Sequence, residues 1–95
     1  MSAPDFLVHG KEDTVGVVVV EDAAKGKTLT GLSMEEGGRI SIAARDDIPL
    51  GHKIALVDIA DGDTLIKYGH DIGKAVAAIP QGGHAHVQNV KTKRW

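Results

Sequence analysis

Short apolar runs of four to eight residues, each closed by glycine, aspartate or proline, recur along the whole chain. That punctuation restricts the fold more than any other feature. An amphipathic helix needs about ten or more residues of sustained period, whereas a strand is complete in about five. With 12 glycines and only 3 prolines among 95 residues, the pattern predicts a mainly β domain of short strands and tight turns. Candidate strands are Asp5 to His9, Val15 to Glu21, Gly38 to Ala44, Lys53 to Ala60, Thr64 to Tyr68, Gly73 to Ile79 and His84 to Gln88. The alanines of Gly73 to Ile79 would suit a helix, but its leading glycine, its short length and the PQGG that follows favour a strand. The run VGVVVV lacks alternation, so its strand is expected to be central or buried on both faces. Residues 22 to 38 are polar and Gly-rich and read as an exposed excursion. Strands at this spacing predict a small barrel or sandwich, and no internal repeat is visible.

A chain of 95 residues makes one domain, close to the size at which a single core just suffices. Aromatics are 3% of it, so the core is built from Val, Ile, Leu and Ala, and burial against another chain would reinforce it. Without cysteine there is neither a disulfide framework nor a thiolate metal site, and the expected setting is the cytoplasm. VGVVVV is too short to span a bilayer, so no membrane association is expected. A net charge of −2 speaks against a nucleic-acid binder, which needs a basic face.

The chemistry-bearing residues gather near the C-terminus, in GGHAHVQNVKTKRW. On a strand, residues i and i+2 face the same way, so His84 and His86 would present two imidazoles side by side, as neighbouring metal ligands do. A catalytic metal takes about three protein ligands, so others must come from elsewhere, with His52, His9 or a partner subunit as candidates. Two surface histidines without a metal role are the plainer alternative, and His70 has no paired neighbour. Asp46 and Asp47 precede a Pro-Gly turn and are expected to bond turn amides. Lys91, Lys93 and Arg94 carry the donors that a small anionic substrate needs, and Trp95 ends the chain. There is no Gly-rich phosphate loop, no GxSxG and no acid and base pair, so these residues amount to half a site.

Three stretches carry a resemblance. IPLGHKIALVDIADGDTLIKYG, then DIGKAVAAIPQGGHAHVQN, and the opening FLVHGKEDTVGVVVVE together resemble the SAF domain of the altronate and galactarate dehydratase superfamily. The ordered set I-P-x-G-H-K, K-Y-G-x-x-I-G and G-x-H-x-H-x-x-N is more specific than any one piece, and the resemblance treats residues 1–95 as a single SAF domain. Two departures stand out: Gln88 occupies a position where the family often has a third histidine, and NVKTKRW replaces the Arg-Thr-Asn-Leu type of continuation of altronate dehydratases. The resemblance implies a β-clip fold, a larger catalytic (beta) partner subunit, a divalent metal such as Fe2+ or Mn2+, and elimination from a small anionic 2-hydroxy acid. It implies His84 and His86 as catalytic residues at the metal, and Lys91, Lys93, Arg94 and His52 at the substrate. The deprotonating base is expected from the partner. Three classes stay open: a lyase subunit expelling sulfite, a sugar-acid dehydratase subunit expelling hydroxide, and a noncatalytic ligand-binding module.

Overall fold

Four tight turns organise the chain, and they share one pattern of residues. AAKGKTL (23–29), IPLGHKI (48–54), IADGDTL (59–65) and IPQGGHA (79–85) each carry a glycine at the fourth position, with φ of 89°, 85°, 92° and 86° at Gly26, Gly51, Gly62 and Gly82. The residue after the glycine donates its amide to the carbonyl three positions back, as in Lys27 to Ala24, His52 to Pro49, Asp63 to Ala60 and Gly83 to Pro80. A positive φ at the third turn residue is what a type II turn demands and what glycine adopts without strain. Residues three before and three after each glycine are buried: Ala23 and Leu29, Ile48 and Ile54, Ile59 and Leu65, Ile79 and Ala85.

The hydrogen bonding repeats as well. Each turn glycine donates to a carbonyl whose own residue donates back to the residue after the glycine; those partners are Ala44, Val18, Ala75 and Ala55 in turn order. The turns then associate in pairs. Ile48 donates to the Ala23 carbonyl, Ile59 and Ile79 exchange both bonds at 2.7 Å, and Asp47 and Asp58 accept from the Lys25 and Gln81 amides of the opposing turns. The sequence expectation of no internal repeat is therefore corrected. The copies share a glycine and two small or aliphatic positions, too little for the eye to register as similarity.

The structure is a computed structural model that describes residues 4–10, 13–35, 37–67, 70–85 and 90–91, with the backbone alone described at 67, 70–72 and 90–91. Its strands are β1 (Phe6–Val8), β2 (Val15–Val18), β3 (Thr28–Ser33), β4 (Arg39–Ala43), β5 (Lys53–Ala55), β6 (Thr64–Lys67), β7 (His70–Ala75), β8 (His84–Ala85) and β9 (Val90–Lys91). A six-stranded sheet in the order β4-β3-β1-β2-β5-β8 curls into a half-barrel, and β6-β7-β9 form a second sheet. Among the described residues every pairing is antiparallel except β1 with β3. The described residues contain no helix, and none that could cross a membrane. The mainly β, SAF-type β-clip expectation holds.

Two cores follow from the two sheets. Phe6, Val18, Leu29, Ile42, Ile48 and Ile54 pack inside the half-barrel, while Val15, Ala55, Ile59, Leu65, Ala75, Ile79 and Ala85 join the second sheet to it. Phe6, the sole phenylalanine, is fully buried, and its ring lies where a side chain at Gly31 would be. That close approach explains the main error of the sequence reading, since residues 22 to 38 are not simply an exposed excursion. They contain the first turn and β3, whose Leu29 is fully buried. The glycine that makes TLTGLS look like a loop is there to admit the Phe6 ring.

The expectation for VGVVVV holds in position. β2 lies between β1 and β5 with Val15 and Val18 buried. Its second face is covered only in part: Val17 is half-buried and Val19 is exposed, and with Leu7 and Met34 they border an open groove of about 440 Å³. Asp13, the buried charged residue among those described, closes one end of it and accepts from the His9 and Gly10 amides, each at 3.2 Å.

Candidate functional site

Two of the four turns deliver histidines to one place. In IPLGHKI the residue after the turn glycine is His52, and in IPQGGHA the second residue after it is His84. β5 and β8 pair antiparallel with Ile54 opposite His84 and Lys53 opposite Ala85. His52 stands two residues from His84's direct partner, and side chains so placed reach one another diagonally. Their rings stack with centroids 5.0 Å apart and planes 23° from parallel, and His52 Nδ1 lies 2.8 Å from His84 Nε2.

That distance defines the pair chemically. Two ring nitrogens at hydrogen-bond separation share one proton: one donates, the other accepts through its lone pair. Both rings are half-buried, so the contact is shielded yet open to a ligand. A second contact fixes His84, whose backbone amide donates to Asp46 Oδ2 at 3.0 Å. Alongside it the Arg45 amide donates to the Gly82 carbonyl at 2.9 Å. The segment after β4 is thereby fastened to the turn that carries His84. Lys53, half-buried, follows His52 directly in β5.

The donor set can be tested against a divalent metal. Imidazole nitrogens suit Fe2+, and metal to nitrogen bonds near 2.0–2.1 Å place two ligands at right angles about 3 Å apart. The proton between the His52 and His84 nitrogens occupies the lone pair that a metal would need there, so a metal would have to take the His84 ring nitrogen that does not face His52. Among the described residues no group of three or more His, Asp or Glu side chains converges, so further ligands would have to come from outside them.

The structure thus joins His52 to His84; the sequence offers His52 as a further ligand beside His84 and His86, and the resemblance places it at the substrate. His86, Lys93 and Arg94 lie outside the described residues, as do Gln88 and Trp95. Lys91 is placed by its backbone in β9, paired with Lys74 in the second sheet. His9 sits on the groove near Asp13, away from the pair. His70 is placed by its backbone in β7, opposite Lys67. Asp46 and Asp47 bond amides as expected, but those of His84 and Lys25 rather than of their own turn. The hold of Asp46 on His84 carries no signal in the sequence: it lies beside the bond from Arg45 to Gly82 and outside the bonds that the four turns repeat.

Comparisons with known proteins agree with this architecture. The altronate/galactarate dehydratase SAF domain matches residues 4–93. The chain is 52% identical over 91 residues to the (2R)-sulfolactate sulfo-lyase subunit alpha of Chromohalobacter salexigens, covering 96% of this chain and 97% of that one. It is 56% identical over 54 residues to the protein of the same description from Paracoccus pantotrophus, covering 57% of this chain and 81% of the other. The altronate dehydratase of Bacillus subtilis is 40% identical over 87 residues, 92% of this chain but 16% of that enzyme.

Proposed function

Because the chain belongs to the altronate/galactarate dehydratase SAF-domain family, we propose that it is the small subunit of a (2R)-sulfolactate sulfo-lyase, a cytoplasmic enzyme completed by a larger catalytic (beta) subunit. The observation that carries this reading is the 52% identity along nearly the full length of both this chain and a relative described as subunit alpha. The altronate dehydratases that match at lower identity contain the domain as a small fraction of a much longer chain.

The reaction follows from the substrate. (2R)-3-Sulfolactate carries a weakly acidic C2 hydrogen and a sulfonate on C3. Removal of the C2 proton lets its electron pair form the C2–C3 double bond while the C3–S pair leaves with sulfite. The enol tautomerises to pyruvate, and atoms and electrons balance without an oxidant. Fe2+ or Mn2+, when bound, would be held by His86 and by the His84 nitrogen that does not face His52, and would supply a Lewis acid for the substrate carboxylate and 2-hydroxyl.

The roles of this chain's residues are to bind, orient and hold a proton. The His52–His84 pair keeps one proton between Nδ1 and Nε2, so either ring can donate or accept as substrate displaces the contact. Lys91, Lys93 and Arg94, together with His52, are assigned to the carboxylate and sulfonate. The base that takes the C2 proton belongs to the partner.

The test is to purify the chain with the larger protein that accompanies it in its native cell and assay the metal-loaded complex on (2R)-sulfolactate and on altronate in parallel. Equimolar sulfite and pyruvate support the reading. A 2-keto-3-deoxy sugar acid from altronate without sulfite replaces it with a dehydratase, and inactivity on both with ligand binding by the chain alone replaces it with a binding module.

A further inference from the structure

Among the described residues β8 is the edge of the six-stranded sheet, with β5 on one side. An edge strand leaves amides without a ladder partner, and an imperfectly held edge frays. The His84 amide belongs to that open edge, and the Asp46 carboxylate accepts it from 38 residues away. Asp46 itself is firmly presented. On its N-terminal side Ala44 donates to Lys27 and Arg45 to Gly82, and on its C-terminal side Ile48 donates to Ala23. Exposed Asp46 fills no part of the core, so its bond to His84 is separable from packing.

We propose that Asp46 is a positioning residue: by standing in for the missing strand at the His84 amide, it holds the His84 ring at the distance where it meets His52. Asp46 then holds His84 by its backbone while His52 meets its ring. The inference rests on the reading of the His52–His84 pair as the working part of the site. The neighbouring residue is a built-in control, because Asp47 makes the same kind of bond to the turn at Gly26, which carries no histidine.

The experiment compares the wild type with Asp46→Ala, Asp46→Asn and Asp47→Ala. Ring nitrogen NMR of the labelled full chain reports the shared proton. The expected result is a fixed tautomer pattern for His52 and His84 in the wild type, in Asp46→Asn, which still accepts the amide, and in Asp47→Ala. Asp46→Ala should show the averaged pattern of free imidazoles while its buried isoleucine methyl spectrum stays native. In the complex with the partner, Asp46→Ala should lower kcat/KM for sulfite release about 10-fold or more, the usual effect of losing a group that orients a ligand, and Asp46→Asn should restore it. If Asp46→Ala fails to fold, Asp46→Ser, too short to reach the amide, takes its place. Wild-type ring signals and activity in the variant lacking the acceptor overturn the proposal. The ring measurement needs no substrate, so failure of the sulfo-lyase reading leaves it interpretable.

Discussion

Replacing Gly82 with alanine separates the cost of a backbone angle from the cost of a close approach. Gly82 and Gly51 occupy equivalent places in their turns, with φ of 86° and 85°. A methyl group at Gly51 would meet nothing within 4 Å, so Gly51→Ala carries only the left-handed conformation, about 1–2 kcal/mol. At Gly82 the same methyl would land on the Ala43 carbonyl oxygen. That oxygen is backbone at the end of β4, where Ala43 is paired with Thr28, so relief requires the strand end to move. The movement would loosen the bonds from Arg45 to Gly82 and from His84 to Asp46, each worth about 1 kcal/mol. Gly82→Ala is therefore expected to destabilise by about 3–4 kcal/mol, a large share of the roughly 5–15 kcal/mol that holds a small domain folded. Urea unfolding of the full-length variants measures both. Unfolding free energies for Gly82→Ala and Gly51→Ala that agree to within about 0.5 kcal/mol would refute the role given to the Ala43 contact.

Other outcomes follow from the same contacts. Gly31→Ala forces a methyl into the Phe6 ring and should cost about 1–3 kcal/mol by overpacking; combining it with Phe6→Leu should cost less than the sum of the two changes in denaturant midpoints. The Lys27 hydrogen bond to Asp22 lowers the Asp22 pKa, so its contribution is present above about pH 4 and disappears as pH falls through the lowered value. Because the pair is solvent-exposed, Lys27→Met should leave the thermal midpoint at pH 7 unchanged within error. Chelation of divalent metal from the assembled complex should abolish sulfite release, with Fe2+ or Mn2+ restoring it; full activity after complete metal removal contradicts the ligand assignment.

Much of the fold is legible in the sequence because glycine position and apolar run length are local signals. The strands around Leu7, Val17, Ile54 and Leu65 are bounded by such signals and fall where the pattern puts them. β3 escapes because Gly31 mimics a breaker, and its reason for being glycine lies across the sheet, in Phe6. Lys53 to Ala60 shortens to Lys53–Ala55, since Leu56 to Asp58 form the approach to the next turn rather than more strand. Gly73 to Ile79 shifts to His70–Ala75 for the same reason. The site was legible as residue types and not as a pairing. Spacing along the chain joins His84 to His86, while the contact with His52 spans 32 residues and exists through the β5 and β8 register.

The central claim is that His52 and His84 work as one unit in a sulfo-lyase. A double-mutant cycle on sulfite release tests it, using His52→Ala, His84→Ala and the double variant, each assembled with the larger partner and assayed on (2R)-sulfolactate. Groups that act together fail together. Each single variant is expected to lose most of kcat/KM, and the double variant to be no worse than the weaker single. Losses that multiply in the double variant, or wild-type sulfite release from either single, would contradict it.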